Sequence, residues 1–270
     1  MDPRYFQIAT LATLLGYGLF GLEFEVHPAN AAVILVTCQL VQWLGDRSIG
    51  RPFDPRSSLI TSLSLCLLLR TNDLPVAALA AVLAIGSKYV IRVGSKHVYN
   101  PANFGIALSV VLTGSAWVSP GQWGNAALAA LFFACAGTTV VQRAARSDVT
   151  WAFLAFYGGA LLWRSWHLGE PMSIPLHRMQ SGALLLFSFF MISDPKTTPD
   201  SRAGRILFAA LVAFGAYVVH FWWFRSNGLI WSLVVLSPVV PLIDRIAPGS
   251  AYRWASARTR ALPEVAPAAN

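Results

Sequence analysis

The chain has 270 residues, 56% hydrophobic and only 12% charged, with a mean hydropathy of +0.56 and a formal charge of +8. A typical soluble domain is about 25% charged; half that share, with the apolar residues gathered in blocks, excludes a soluble globule and specifies an all-α integral membrane protein. The basic excess lies in short loops between apolar blocks, as the positive-inside rule expects, which excludes nucleic acid as a partner and leaves membrane lipid as the surroundings.

In chain order the apolar segments fall at about 5–22, 31–45, 57–69, 74–92, 101–116, 124–142, 150–166, 179–193, 206–224 and 228–243. Crossing a bilayer core takes about 20 helical residues. The third and eighth segments reach only about 20 Å at about 1.5 Å per residue, so both are expected to be broken or half-spanning. Ala29-Asn30-Ala31 after the first segment resembles a signal-peptidase site, but the approach is long and acidic (Glu23, Glu25) and carries one Arg, so a retained first helix is expected. Cys38, Cys66 and Cys135 stand alone in apolar runs, which signals buried thiols rather than a disulfide framework or a metal site.

Alternating the loops from an inside N-terminus puts sixteen of the twenty Lys and Arg on the cytoplasmic face; Arg70, Arg164, Arg178 and Arg225 fall outside. Trp117, Trp123, Trp163, Trp166, Trp222 and Trp223 gather at outer helix ends, as an aromatic belt does. The reading is a single membrane domain over 1–247 of about ten transmembrane or half-spanning helices, with both termini cytoplasmic in a bacterial inner membrane and a tail over 248–270.

Ten segments divide into two sets of five, one over about 5–117 and one over about 123–245, each with its short member third. The first short segment runs into Arg70-Thr71-Asn72-Asp73-Leu74-Pro75, the second into Ser193-Asp194-Pro195-Lys196-Thr197-Thr198-Pro199. Polar hinges, GSKHVYNPANFG (94–105) and FRSNGLIW (224–231), precede the fifth member of each set. Five is odd, so the second set starts from the opposite face, which predicts an inverted repeat with broken helices, a transporter-type architecture. Broken backbone at membrane depth survives only where protein or a water-lined cavity covers it. The two cytoplasmic breaks, Asn100-Pro101-Ala102-Asn103 and Asp194-Pro195, are therefore expected to lie close together.

Three stretches, SKHVYNPANFGIAL (95–108), FFMISDPKTTPDSRAGRILF (189–208) and SNGLIWSLVVLSPVVPLID (226–244), are similar to a known membrane-subunit family. The family comprises the D subunit of the Rnf electron-transport complex and the B subunit of sodium-translocating NADH:quinone reductase, and the resemblance runs from about residue 30 to 245. It implies electron transfer with redox partner subunits, flavin and coupling to ion movement. Family members carry FMN esterified to a threonine in an S-G-A-T-like motif. Here the outer loop GSAWVSPGQWGN (114–125) holds no threonine, Thr113 precedes it in another order, and Ser181-Gly182-Ala183 is followed by Leu184, which has no hydroxyl. No covalent FMN is expected; a non-covalent FMN or riboflavin remains open.

Lys88 and Arg92, one helical turn apart, can hold a flavin phosphate or another anion with Lys96 and His97, or simply set topology by snorkelling. Asn100 and Asn103 can cap a helix start or hydrogen-bond a planar ring. Asp194 can cap its turn or pair with Lys88 or Arg92, while Thr197 and Thr198 either shape that turn or join the site. His167, His177 and His220 sit near outer helix ends without a facing pair for haem. No nucleotide-binding loop or serine triad is visible. Rival readings are a small-solute or ion permease on the same scaffold, or a membrane anchor for a larger complex.

Overall fold

The computed structural model describes residues 2–21, 26–94, 96–119 and 147–252. The sixth expected segment (124–142), Glu23, Glu25, Cys135 and the tail from 253 onward lie outside the described residues. Helices dominate: α1 (Pro3–Gly21), α2 (Pro28–Ser48), α3 (Pro55–Leu68), α4 (Leu74–Val90), α5 (Pro101–Thr113), α6 (Ser147–Leu168), α7 (Ser173–Met179), α8 (Gly182–Leu186), α9 (Arg202–Phe221), α10 (Gly228–Leu236) and α11 (Val240–Ile246). A π-helical turn, Phe187–Met191, prolongs α8, and a 3₁₀ turn, Ser237–Val239, joins α10 to α11. The chain is thus an all-α membrane protein. Pro28–Ser48, Arg202–Phe221 and the continuous run Gly228–Ile246 are each long and apolar enough to cross a bilayer.

Helix starts follow the local chemistry. Pro55 and Pro101 open α3 and α5 at positions whose N–H has no helical partner. The Asp54 carboxylate accepts from the Arg56 N–H at 3.1 Å, Asn100 Oδ1 from the Asn103 N–H at 3.0 Å, and Ser201 Oγ from the Gly204 N–H at 3.0 Å. The inward stripe of α2 is Asn30, Ile34, Cys38, Gln42 and Asp46, spaced by four, while Val36, Leu40 and Leu44 face out. In lipid the outward face must be apolar, and polar side chains turn inward to find partners.

The first expected break takes a more ordered form than a loop. Leu69–Thr71 is a strand, β1, paired antiparallel with β4 (Ala116–Val118), Arg70 opposite Trp117. Backbone groups leaving the short helix are satisfied by this ribbon, and Asn30 Nδ2 donates to the Thr71 carbonyl at 2.6 Å. Arg70, read from sequence as an outer loop residue, is buried and donates to the carbonyls of Cys66 and Leu69. A second ribbon, β2 (Arg92–Val93) with β3 (Lys96–His97), links α4 to α5.

One pattern of packing occurs twice. In the first half α2 lies along α4, and α4 on α5; in the second, α6 lies along α9, and α9 on α10. The halves meet where α5 crosses α10, and Asn103 Nδ2 there donates to the Ile230 carbonyl at 3.2 Å. α1 packs on α3 through the fully buried Leu11 and Leu14. The Arg205 guanidinium grips Asp148 at 2.5–2.9 Å and ties α9 to the start of α6.

Candidate functional site

The second break is a tight turn whose polar groups are spent on itself. The Asp194 carbonyl accepts from the N–H groups and the hydroxyls of Thr197 and Thr198 at 3.1–3.3 Å, and Asp194 Oδ1 accepts from the Lys196 N–H at 3.0 Å. Asp and Thr are suited to this because short side chains bond the backbone two to four residues away. Lys96 then clamps the turn to α11. Its ammonium donates to the Thr198 carbonyl and Asp244 at 2.9 and 2.8 Å and pairs with Asp200 at 2.9 Å.

The two cytoplasmic-side breaks of the sequence reading do come together. Asn100 Nδ2 donates to the Met191 carbonyl at 3.3 Å, and Asn100, Pro101, Asp194 and Pro195 line one cavity of about 130 Å³. Its other wall is a face of α3, where Ser57, Thr61 and Ser64 recur at helical spacing. Arg4, Gln7, His97, Ser193 and Lys196 add polar groups to a lining that also includes Ile60, Ala102, Phe189 and Phe190. His97 Nδ1 is buried and has no hydrogen-bond partner among the described residues. Burial, reinforced by the positive charges of Lys88, Arg92 and Lys196, pushes His97 down to about 3, so the ring stays neutral at ordinary pH.

At the mouth, Arg4 pairs with Asp2 and Asp54, and Arg56 pairs with the same two carboxylates, at 2.6–2.9 Å. Burial acts to raise Asp54, but hydrogen bonds from Arg56 and Arg4 together outweigh it and hold the carboxyl down at about 2. These four charges join the start of α1 to the start of α3.

Of the seven residues singled out from sequence, Asn100 and Asp194 line the cavity. Asn103 is buried at the crossing of α5 and α10. Thr197 and Thr198 hold the turn from behind. Lys88 does not snorkel: it is 6% exposed, and its ammonium donates to Gln42 Oε1 and Ser57 Oγ, each at 2.8 Å. Gln42 passes the interaction on, its Nε2 donating to Asp46 at 2.9 Å, and Asp46 also accepts from the Tyr89 hydroxyl at 2.9 Å. Lys88 therefore does not share an open face with Arg92, which follows α4 in the β2 strand. Gln42 was missed from sequence because it looks like an isolated polar residue in an apolar run, and Ser57 because it reads as part of the polar start of α3. The Ser57, Thr61, Ser64 spacing was the available signal for the cavity wall.

The arrangement suits water and small ions. It does not suit a flavin: organic ligands occupy about 300–1,000 Å³, above the cavity's 130 Å³, and the Lys88 ammonium already serves two protein acceptors.

Comparison with known proteins agrees with the three quoted stretches. The D subunit of the ion-translocating oxidoreductase complex of Pseudomonas paraeruginosa is 25% identical over 292 aligned positions, covering 84% of this chain and 83% of that protein. The protein of the same name from Sodalis glossinidius is 30% identical over 129 residues, 38% of this chain, and that from Escherichia coli 27% over 137 residues, half of it. The aligned parts span 37% and 36% of those two relatives. The sequence profile of the NQR2, RnfD, RnfE family matches residues 107–253, more than half of the chain, and the protein belongs to that family.

Proposed function

We propose that the chain is a membrane-embedded subunit for electron transfer, coupled to ion movement and working with protein redox partners in a bacterial inner membrane. The observation that carries this reading is the family match across the half of the chain that contains the Asp194 turn, together with relatives named as one subunit of an ion-translocating oxidoreductase complex. The polar cavity gives the ion-coupled part a physical basis. At membrane depth, the hydroxyl oxygens of Thr61 and Ser193, whose protons go to the Ser57 and Phe189 carbonyls, keep lone pairs that can replace water around a small cation.

The doubled packing pattern supports two five-helix repeats of opposite orientation, over about 5–117 and 123–245. Both chain ends then lie on the cytoplasmic face. No covalent flavin is expected, because the outer loop 114–125 holds no threonine and Thr113 precedes it in another order. Lys88, Arg92, Asn100, Asn103, Asp194, Thr197 and Thr198 do not form one pocket of flavin size, since only Asn100 and Asp194 line the cavity.

The reading is tested by purifying the tagged chain from its native membranes in mild detergent. The expected result is co-purification of proteins that carry flavin or iron–sulfur absorbance, with no fluorescence on the chain itself after denaturing electrophoresis. A chain that purifies alone and colourless, and that mediates solute uptake when reconstituted by itself in vesicles, overturns it in favour of a permease.

A further inference from the structure

A second cavity, of about 270 Å³, lies at the far end of α3: Leu68, the last residue of that helix, lines it, whereas Ser57 to Ser64 line the first. Its walls include Leu184, Phe187 and Ile230, and its polar groups include Arg178, His220 and Asn227. No Asp or Glu among the described residues lines it. The neighbouring cation is already neutralised, since Arg164 pairs with Glu170 at 2.7 Å, while Arg178 makes no ion pair among the described residues. The guanidiniums of Arg164 and Arg178 both lie over the Phe221 ring, at 4.4 and 5.1 Å from its centre, which holds Arg178 at the cavity wall. His220 Nδ1 is buried without a hydrogen-bond partner among the described residues. Asn227, in the left-handed region at φ 62°, starts α10 without capping it through its side chain, so the positive end of that helix opens at the same wall.

We propose that this cavity binds an amphipathic anion, with a single phosphate or carboxylate head against Arg178 and His220 and a compact apolar body against Leu184, Phe187 and Ile230. A cation with no ion pair among the described residues, the His220 ring and an apolar floor line one open-mouthed cavity, close to the lower end of the ~300–1,000 Å³ that organic ligands occupy. Exposed Trp222, Trp223 and Phe224 adjoin it in sequence, at the level where aromatic side chains meet a bilayer surface. The head is therefore supplied either by an anionic lipid or by a free solute of the same chemistry. The proposal is independent of the redox reading, because it uses neither the first cavity nor the family match.

The test is thermal unfolding of the full chain in phosphatidylcholine nanodiscs, compared with discs containing phosphatidylglycerol and with phosphatidylcholine discs plus hexyl phosphate. At least one addition is expected to raise the Tm; a shift with phosphatidylglycerol alone identifies a lipid source, and a shift with hexyl phosphate a free solute. Arg178→Gln is expected to weaken the response by about tenfold or more, the worth of one lost charged hydrogen-bonding partner. Arg225→Gln removes an exposed cation that does not line the cavity and is expected to leave the response intact. No shift with either probe, or equal weakening by both substitutions, overturns the proposal, the latter by showing attraction to surface charge alone.

Discussion

Lys88 binds Gln42 and Ser57 rather than a carboxylate, so its ammonium is buried on neutral oxygens with Asp46 reached only through Gln42. Lys88→Met deletes the charge but strands both acceptors, at about 1–3 kcal/mol for a buried unpaired group. A lowered Tm in detergent is expected, with partial recovery in the double variant that also carries Ser57→Ala. An unchanged or raised Tm would mean that the ammonium is kept at a cost to folding, hence for function. Two groups, His97 in β3 and Asp54 at the start of α3, contribute to the pH response. His97, neutral in the folded chain, binds a proton in the unfolded chain below the ordinary value of 6.5, so its contribution is complete above 6.5 and is lost as pH falls toward about 3. Asp54, held at about 2, contributes fully above the ordinary value of 3.8 and loses that contribution as pH falls through about 2. Stability is thus expected to decline on acidification from neutral pH, first through His97. His97→Gln should flatten the upper part of that decline; a parent Tm constant down to 3.8 would contradict the assignment.

At the scale of elements, close helix crossings depend on missing side chains. A Cβ on Gly105 would stand 2.6 Å from the Ala80 carbonyl oxygen and 2.7 Å from the Ala84 Cβ, so α4 and α5 approach as closely as backbones allow. In lipid such contacts supply much of the association between helices. Gly105→Ala is expected to cost about 1–3 kcal/mol, as overpacking does, because the obstacle is backbone and a small rigid side chain. Gly86→Ala, on the same α4 but with nothing within 4 Å of its new Cβ, is expected to be neutral. Unfolding of the two variants in parallel checks this, and equal Tm values would show that α4 and α5 can slide apart freely.

At the scale of the whole molecule, the division of basic residues and the doubled helix packing lead to one expected topology. Reporter fusions after Arg260 and within 114–124 should report opposite sides of the membrane, with Arg260 in the cytoplasm. Signals on the same side would remove the ten-span, inverted arrangement. The ion pair of Arg205 with Asp148 bears on the same point, since it ties the start of α9 to the start of α6 and so requires both helix starts to share one face.

Much of this was legible in the sequence, for a simple reason. Lipid demands apolar outer surfaces and internally satisfied backbones, so block hydropathy located nearly every described helix to within a few residues, and the Pro and Asn punctuation located both hinges. The meeting of Asn100 with the Asp194 turn was likewise readable, because breaks at membrane depth must be covered by one another or by water. The sequence alone could not show partners. That Lys88 would bond Gln42 and Ser57, that Arg70 would be buried beside a two-stranded ribbon, and that Arg178 would share a cavity with His220 depend on residues 31 to 47 positions apart meeting in the folded chain. An isolated polar residue in an apolar run carries no mark of the acceptor it will find, so only tertiary packing decided which charges close the fold and which remain available to a ligand.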